Sequence, residues 1–481
     1  MFFSYDYKQS HEADRRAVMQ GTPARVFMER AGLALADTVE AAMNAVEADE
    51  ALFVCGGGNN GGDGFIAARL LAERGRATQI LCLAEKFSSD CARAKIRYKG
   101  EVLGRIPRRR YALVVDCVLG TGLSRTPEGD AAALIAFINS NGAYVVSCDV
   151  PSGLSDNGIA LTPCVRADET LTMGYIKNAL TLADGVDVAG RVSIADIGIS
   201  TPDKGTRVWE DEDVATYFPY KRSNVNKGTF GKAYLLSGGT RIGAVTLSAR
   251  ACLRSGCGYT FVCVPEAYAA QLGVAMPSCV VGDFHGLNAE ILSADAVALG
   301  MGAGANKELY ELVVGLLNEY QGTLILDADA LSALAAYGME PLKKSACEVI
   351  LTPHPKEFSR LTGRSVKEIL DDALPLAGEF AREYGVTVIL KNNRSIISNG
   401  IQTVINSTGT PALAKGGSGD VLSGLLVGTC ARGVSAFEAA CVSSFILGRA
   451  GELAEEETGD YGTTPEDVIL KIPQAIASVR Q

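Results

Sequence analysis

Residues 51–64 read ALFVCGGGNNGGDG: a short apolar run, then a turn crowded with glycine, which opens into FIAARLLAER (65–74) with apolar residues at helical spacing. A brief apolar run that ends in a Gly-rich turn before a helix is the first half of a β-α-β unit. The pattern continues outward on both sides. A helical stretch, RVFMERAGLALADTVEAAM (25–43), precedes it, and the apolar runs TQILCL (78–83), ALVVD (112–116) and AYVVSC (143–148) follow, separated by helix-period segments such as AAALIAFINS (131–140). Strands alternating with helices predict a parallel sheet covered on both faces.

A second system of the same kind starts at KAYLLSGG (232–239). It runs through LRSGCGYTFVCV (253–264), AVALGMG (296–302), GTLILDADA (322–330), EVILTPHP (348–355) and VTVILKN (386–392), and closes in long helices after GGSGD (416–420). Residues 203–228, with the lone Trp209 followed by acids and then PYKRSNVNKG, read as the boundary. The fold class is therefore α/β twice over, with domains expected at 1–215 and 220–481. A length of 481 residues suits two or three domains.

Composition narrows the function classes. Hydrophobic residues make up 47% and charged residues 21%, which is globular, and the net charge of −10 argues against nucleic acid or an anionic membrane as partner. Thirteen cysteines, an odd number without a C-x-x-C pair, and only three histidines favour reduced thiols over disulfides or zinc. The start, MFFSYDYKQSHEADRR, is no signal peptide, and no apolar run is long enough to span a bilayer. A cytoplasmic location is expected.

The chemistry should sit at strand ends, because ligands of open parallel sheets bind outside the carboxyl ends of the strands. CGGGNNGGDG formally contains G-x-G-x-x-G, the mark of a dinucleotide cofactor. The embedded Asn59 and Asn60 exceed what such a turn needs, and a helix-capping role explains Asp63 but neither asparagine. VVDCVLGTGLSR puts Asp116 at a strand end before a Gly-Thr-Gly loop, CDVPSGLSDNG does the same for Asp149, and ADETLTMGYIK presents Lys177 just past a third strand.

NNGGDG, D-x-x-x-GTG, DVPSG and DIGI (196–199) resemble, in order and spacing, the NAD(P)H-hydrate epimerases of the YjeF N-terminal type, with a Rossmann-like α/β/α sandwich, over about residues 1–215. The resemblance implies that Asn59, Asn60, Gly61, Gly62, Asp63 and the loop Gly120, Thr121, Gly122, Leu123, Ser124, Arg125, Thr126 contact the hydrated nucleotide. It implies further that Asn60, Asp116 and Ser152 hold a potassium ion and that Asp149 sits at the reacting ring. The chemistry is reasonable: the substrate carbon bears a hydroxyl beside the ring nitrogen, so loss of the hydroxyl leaves a stabilised iminium. A carboxylate there can relay protons while water returns on either face.

In the second half, GGSGD precedes the apolar helix VLSGLLVGTCARG (421–433). Consecutive N–H groups at a helix start attract anions, and Asp420 is placed to deprotonate a hydroxyl attacking phosphorus; the bland alternative is an N-cap aspartate behind a flexible turn. No G-x-x-x-x-G-K-[ST] exists, which excludes a P-loop. KGTFGKAYLLSGG, GAVTLSARACLRSGCG, LGMGAGAN, LDADAL and LTPHPKEF resemble ribokinase-like proteins, and most of all the ADP- or ATP-dependent NAD(P)H-hydrate dehydratases, over about residues 220–481. That resemblance implies contacts to the hydrated nucleotide from Ala244, Gly302, His354 and Asp420. It gives the adenine nucleotide to Lys391, Asn392, Asn393, Arg394, Ser395 and Gly419, and a magnesium ion organised through water to Glu357. Two positions depart from the family: Asn392 where Leu-Lys-Gly is usual, and Thr410 where Gly-Asn-Pro is common.

The expectation is thus a metabolite-repair enzyme that epimerises the hydrates NADHX and NADPHX and dehydrates the S form with ADP as co-substrate, as a homo-oligomer. Two alternatives stand beside it. One is a vitamin or sugar kinase of ribokinase type with an accessory domain; the other is an N-terminal domain that binds without catalysing.

Overall fold

The structure is a computed structural model that describes residues 2–123, 125–202 and 204–480. The chain divides between Thr206 and Arg207. In the first unit, helices α1 (Tyr7–Met19) and α2 (Ala24–Ala45) precede a seven-stranded sheet of β1 (Glu50–Cys55), β2 (Ala77–Leu81), β3 (Glu101–Leu103), β4 (Leu113–Cys117), β5 (Tyr144–Cys148), β6 (Glu169–Met173) and β7 (Arg191–Ala195). The strand order is β3-β2-β1-β4-β5-β6-β7 and every neighbouring pair is parallel. Helices α3 (Asn59–Glu73), α4 (Ser89–Arg97) and α5 (Gly129–Asn141) make the crossovers.

The apolar runs of the sequence are these strands because a parallel sheet is buried on both faces, which leaves no room for alternation. β4 is buried from Leu113 to Cys117, its one charged residue, Asp116, included. Helix α2 lies close against α3: a Cβ at Gly32 would stand 2.4 Å from the Ile66 side chain. Larger residues at that crossing would force the helices apart.

The second unit carries β8 (Thr206–Val208), β9 (Lys232–Leu236), β10 (Tyr259–Val264), β11 (Val280–Asp283), β12 (Ala296–Leu299), β13 (Thr323–Leu326), β14 (Glu348–Leu351), β15 (Thr387–Leu390), β16 (Ile396–Ser398) and β17 (Thr403–Ile405). Their order is β8-β17-β16-β15-β14-β13-β12-β9-β10-β11, parallel except at β15–β16 and β16–β17. Helix α6 (Ile242–Arg254) follows β9, and α7 (Ser418–Ala431) and α8 (Ala436–Thr458) close the chain together with α9 (Pro465–Ser478). α7 is buried from Val421 to Ala431, and Cβ atoms at Gly424 and Gly428 would stand 2.0 Å from Ser248 O and Ser255 Oγ. The glycines of VLSGLLVGTC thus let α7 press onto α6.

Residues 207–220 belong with this second core rather than with the region before it. Trp209, Val214 and Phe218 are buried among its helices, and Arg432 binds the carbonyl of Tyr217 at 2.8 Å. The composition shift around 203–228 marks the change of unit but not the residue where it falls, because burial of Trp209 is a tertiary contact.

Candidate functional site

In the first sheet the strand order reverses between β1 and β4, so the loops after these strands part and leave a crevice at their carboxyl ends. The backbones there nearly touch: a Cβ at Gly56 would stand 2.1 Å from Val118 O, and one at Gly61 2.0 Å from Gly56 O. Only glycine allows this approach. The crevice is a cleft of about 610 Å³ walled by Gly56–Asn60 and Asp63, the loop Val118–Leu123, Asp149, Met173, Tyr175 and Lys177, and covered by Ser10, His11 and Asp14 of α1 with Phe27 and Met28 of α2.

Most of the residues expected from the sequence meet here. Asn59, Asn60, Asp63, Gly120, Thr121, Gly122, Leu123 and Asp149 line the cleft. Gly61 and Gly62 are buried behind it, Arg125 and Thr126 are exposed and off its wall, and Ser124 lies outside the described residues. Asp63 is no helix cap, since α3 is capped by Gly58 without a side-chain bond. Burial pushes its carboxyl well above the usual range, and the charges of Asp149 and Asp14 push the same way.

Asp149 has φ +67°, a left-handed backbone that aspartate seldom adopts and that costs on the order of 1 kcal/mol or more. Its Oδ1 accepts from Lys177 Nζ at 2.6 Å and from the Met173 N–H at 3.1 Å. Asp116 lies deeper and is fully buried. Its two oxygens accept from Ser147 Oγ, Ser152 Oγ, Ser152 N–H and Val118 N–H at 2.6–3.2 Å. Burial raises its pKa, and these bonds oppose the rise.

One buried amide oxygen beside the cleft is left without a partner. Asn60 Nδ2 donates to Leu119 O at 3.0 Å, which turns Oδ1 inward, where it is buried with no hydrogen-bond partner. Ser152 Oγ also accepts from the Leu119 N–H at 2.8 Å, so Asp116 and Ser152 brace the loop that Asn60 faces. Among the described residues no group of three or more His, Cys, Asp or Glu side chains could hold a metal by itself.

Sequence reasoning passed over four contributors. His11, a histidine with no motif around it, lines the cleft with Nε2 3.3 Å from Thr121 O. Asp14, Met28 and Tyr175 join it. No spacing rule flags them, because His11, Asp14 and Met28 reach the site only when α1 and α2 fold over the sheet, and Tyr175 only through the turn after β6.

The second sheet reverses its order between β9 and β12, and again the flanking loops touch: a Cβ at Gly239 would stand 2.0 Å from Gly302 O. Gly302 has φ +66°, and a side chain there would press on Arg241 O and on the Cβ of Ala244 at 3.4 Å. Gly302 and Ala244 therefore adjoin. Gly419 adjoins another pair, for its Cβ position is 3.4 Å from Lys391 Nζ and 3.6 Å from Asp327 Oδ2.

Asp420 lies in the first turn of α7, whose N-cap is Gly417, so it is not a capping aspartate. Burial and the neighbouring Asp327 raise its pKa to about 6, against the pull of Lys391. Asp327 is the opposite case. Burial alone would raise it, but Lys391 Nζ at 3.0 Å and Ser423 Oγ at 2.9 Å hold it below the ordinary value. LDADAL carried the motif without revealing this role. Asp327 is followed by Ala328 at φ +47°, whose N–H turns back to Oδ1 at 2.9 Å.

His354 caps the helix Pro355–Thr362, with Nδ1 accepting from the N–H groups of Lys356 and Glu357 at 3.1 and 3.2 Å. Glu357 Oε2 accepts from the His354 N–H at 2.9 Å, so this acid is already part of a capping box. Half of the His354 side chain remains exposed. Lys391 N–H binds Pro353 O at 2.9 Å, which ties the two loops together. Asn392 Oδ1 accepts from the Asn393 N–H, Arg394 Nη1 reaches Gly409 O at 3.5 Å, and Ser395 O accepts from the Asn406 N–H. Thr410 caps the turn Pro411–Leu413 and bonds Glu455, a structural use for the residue that departs from the family pattern.

Two α/β sheets, one presenting Asp149 in the cleft where its strand order reverses and the other backing Asp420 at a helix start beside Asp327, define a two-site enzyme of the nucleotide-binding α/β class. Family models agree with that division: residues 24–179 match the YjeF-related protein N-terminus and residues 233–474 match NAD(P)H-hydrate dehydratase. The bifunctional NAD(P)H-hydrate repair enzyme of Moorella thermoacetica is 31% identical over 95% of this chain and 93% of its own. That of Pyrobaculum aerophilum is 32% identical over 97% of each. The crystal structure of the ADP/ATP-dependent NAD(P)H-hydrate dehydratase from Bacillus subtilis, co-crystallised with ATP/Mg²⁺, covers 57% of this chain and 99% of its own at 27% identity and a TM-score of 0.52. The chain belongs to the bifunctional NAD(P)H-hydrate repair enzymes.

Proposed function

We propose that the first unit interconverts the two epimers of NADH and NADPH hydrate and that the second dehydrates the S epimer with ADP, giving NAD(P)H, AMP and phosphate. The observation that carries this reading is the presence, in one chain, of two carboxylates in unlike electrostatic settings, Asp149 at a strand end beside a lysine and Asp420 at a helix start with a pKa of about 6. Each setting suits one half of the chemistry.

In the epimerase cleft the substrate hydroxyl takes up a proton and leaves as water with the C–O electron pair. The ring nitrogen lone pair then completes an iminium. Water adds to the opposite face and gives its proton back, so the step balances and no redox change occurs. Asp149 faces the developing positive charge, and the Gly56–Asn60 backbone at the start of α3 receives phosphate oxygens. Asn60 Oδ1 is the ligand that suits potassium, with Asp116 and Ser152 as its frame; the ion would order these loops.

In the second unit Asp420 takes the proton from the substrate hydroxyl as that oxygen attacks the β-phosphorus of ADP, and AMP departs. Phosphate then leaves with the C–O pair as the neighbouring carbon loses a proton. A base with a pKa near 6 is ionised at neutral pH and still accepts a proton. Gly419 and Lys391 are placed for the nucleotide phosphates. Magnesium, which keeps several waters and binds phosphate oxygens, would be organised through water by Glu357 and supply charge for the transferring group. None of the helices in the described residues is long and apolar enough to cross a membrane.

The test is to incubate the protein with mixed hydrate epimers and either ADP or ATP, following recovery of absorbance near 340 nm. Full recovery with released phosphate supports both activities. A stable phosphorylated product would instead indicate a small-molecule kinase.

A further inference from the structure

Lys177 is buried, with 3% of its side chain exposed, yet it lies on the wall of the epimerase cleft. Its ammonium has three protons and three acceptors: Asp149 Oδ1 at 2.6 Å, Met173 O at 2.6 Å and Thr172 Oγ1 at 3.0 Å. The backbone that carries it is pinned on both sides, because Ile176 O accepts from the Tyr5 N–H at 3.0 Å and the Asn178 N–H donates to Tyr5 O at 2.8 Å. The cation therefore has a single place to be.

Its effect falls on one oxygen of Asp149. Oδ1 accepts from Lys177, from the Met173 N–H at 3.1 Å and from Thr172 Oγ1 at 3.4 Å. These donors come from the end of β6 and the turn after it, and the left-handed backbone of Asp149 folds the side chain back toward them. Oδ2 takes none of these bonds.

Resting on the epimerase reading above, we propose that Lys177 is the positioning residue of the epimerase site: it fixes Asp149 through Oδ1, leaves Oδ2 for the substrate, and supplies the positive charge that offsets the acidic groups around it. The cleft needs such a charge. Asp14 of α1 and Asp63 of α3 face Asp149 from two other elements, with Tyr7 of α1, Tyr175 after β6 and Cys148 of β5 also within its field. Apart from His11 at the cleft wall, Lys177 is the basic side chain among the residues lining it. A carboxylate among carboxyls loses its charge more readily without a bonded cation.

A buried lysine can also serve as a structural tie, and the two roles separate experimentally. In the full chain, epimerisation is measured against pH for wild type, Lys177→Met and Lys177→Arg, while thermal unfolding of the same samples reports on folding of the first unit and dehydration of pure S epimer with ADP on the second. Lys177→Met is expected to lower epimerisation by about 10²-fold, as for misplacing a catalytic group by about 1 Å. The acid limb of its residual activity should lie at least one pH unit higher, with S-epimer dehydration within about twofold of wild type. Lys177→Arg keeps the charge and should keep the acid limb while losing part of the rate. Thr172→Val, which removes one acceptor of the ammonium without changing any charge, should move the acid limb the same way but less, and it remains informative if Lys177→Met does not fold. Wild-type epimerisation in Lys177→Met, a lowered rate with an unmoved acid limb, or an unmoved limb in Thr172→Val when Lys177→Met is unfolded would each overturn the proposal. Failure of the wild type itself to epimerise would instead overturn the reading on which it rests.

Discussion

The two units pair lysine with aspartate in opposite ways. In the first, Lys177 grips Asp149, the carboxylate assigned to the reacting ring. In the second, Lys391 grips Asp327, and Asp420 beside it is left with a raised pKa. A bonded cation makes a carboxylate a steady negative charge, suited to standing near an iminium. A carboxylate next to a charged neighbour and without its own lysine holds its proton more tightly, suited to taking one from a hydroxyl. Both sites also place a non-glycine residue at positive φ beside the lysine-bound aspartate, Asp149 itself at +67° and Ala328 at +47°. The shared device is a strained strand end, and what differs is which acid the lysine neutralises.

The largest effect should break the comparison at its second half. Asp420→Ala is expected to lower ADP-dependent dehydration by about 10²–10⁴-fold and to leave epimerisation intact, since the carboxylate serves only phosphoryl transfer. Near-normal dehydration in that variant would remove the base assignment. At the first half, Asp149→Ala should turn a single-phase recovery from mixed epimers into a biphasic one, with rapid loss of the S fraction and then a tail set by uncatalysed epimerisation. A single phase from a folded Asp149→Ala protein is the outcome that counts against it. Asn60→Ala should behave alike but less severely.

The independence of the units can be sharpened by where the chain is cut. A fragment beginning at Arg207 keeps Trp209, Val214 and Phe218 in the second core, and one beginning at Tyr220 loses them. Three buried side chains of this size contribute on the order of 5 kcal/mol, so the shorter fragment should unfold at markedly lower denaturant. Equal midpoints would move the boundary to 220.

The smallest effect concerns stability against pH. Because the pKa of Asp420 is raised to about 6 by folding, the native state binds its proton more tightly than the unfolded chain does. Stability is therefore lost as pH rises from the ordinary carboxylate range through about 6, and none is regained above it. Asp420→Asn should gain on the order of 1 kcal/mol at pH 8, allowing for solvent screening, roughly a third of that at pH 4.5, and almost nothing near pH 3. A gain that did not vary with pH would point to packing instead. The dehydration rate of the wild type should rise through the same interval as the base ionises.

Sequence alone determined the two-sheet α/β plan, because strands buried on both faces must be written as continuous apolar runs and their loops must carry glycine where backbones meet. It determined the motif residues Asn60, Asp116, Asp149, Gly419 and Asp420 for the same reason: each stands at a strand end or helix start that the pattern marks. It did not reveal that Trp209 packs with the second unit, that α1 brings His11 and Asp14 over the crevice, or that Lys177 and Lys391 choose different kinds of aspartate. Those depend on which strands are neighbours and on where a side chain ends after several bonds, and both are settled only when distant segments pack. The identity of the chemically able residues was local, whereas their charge and aim were set by neighbours far away in the chain.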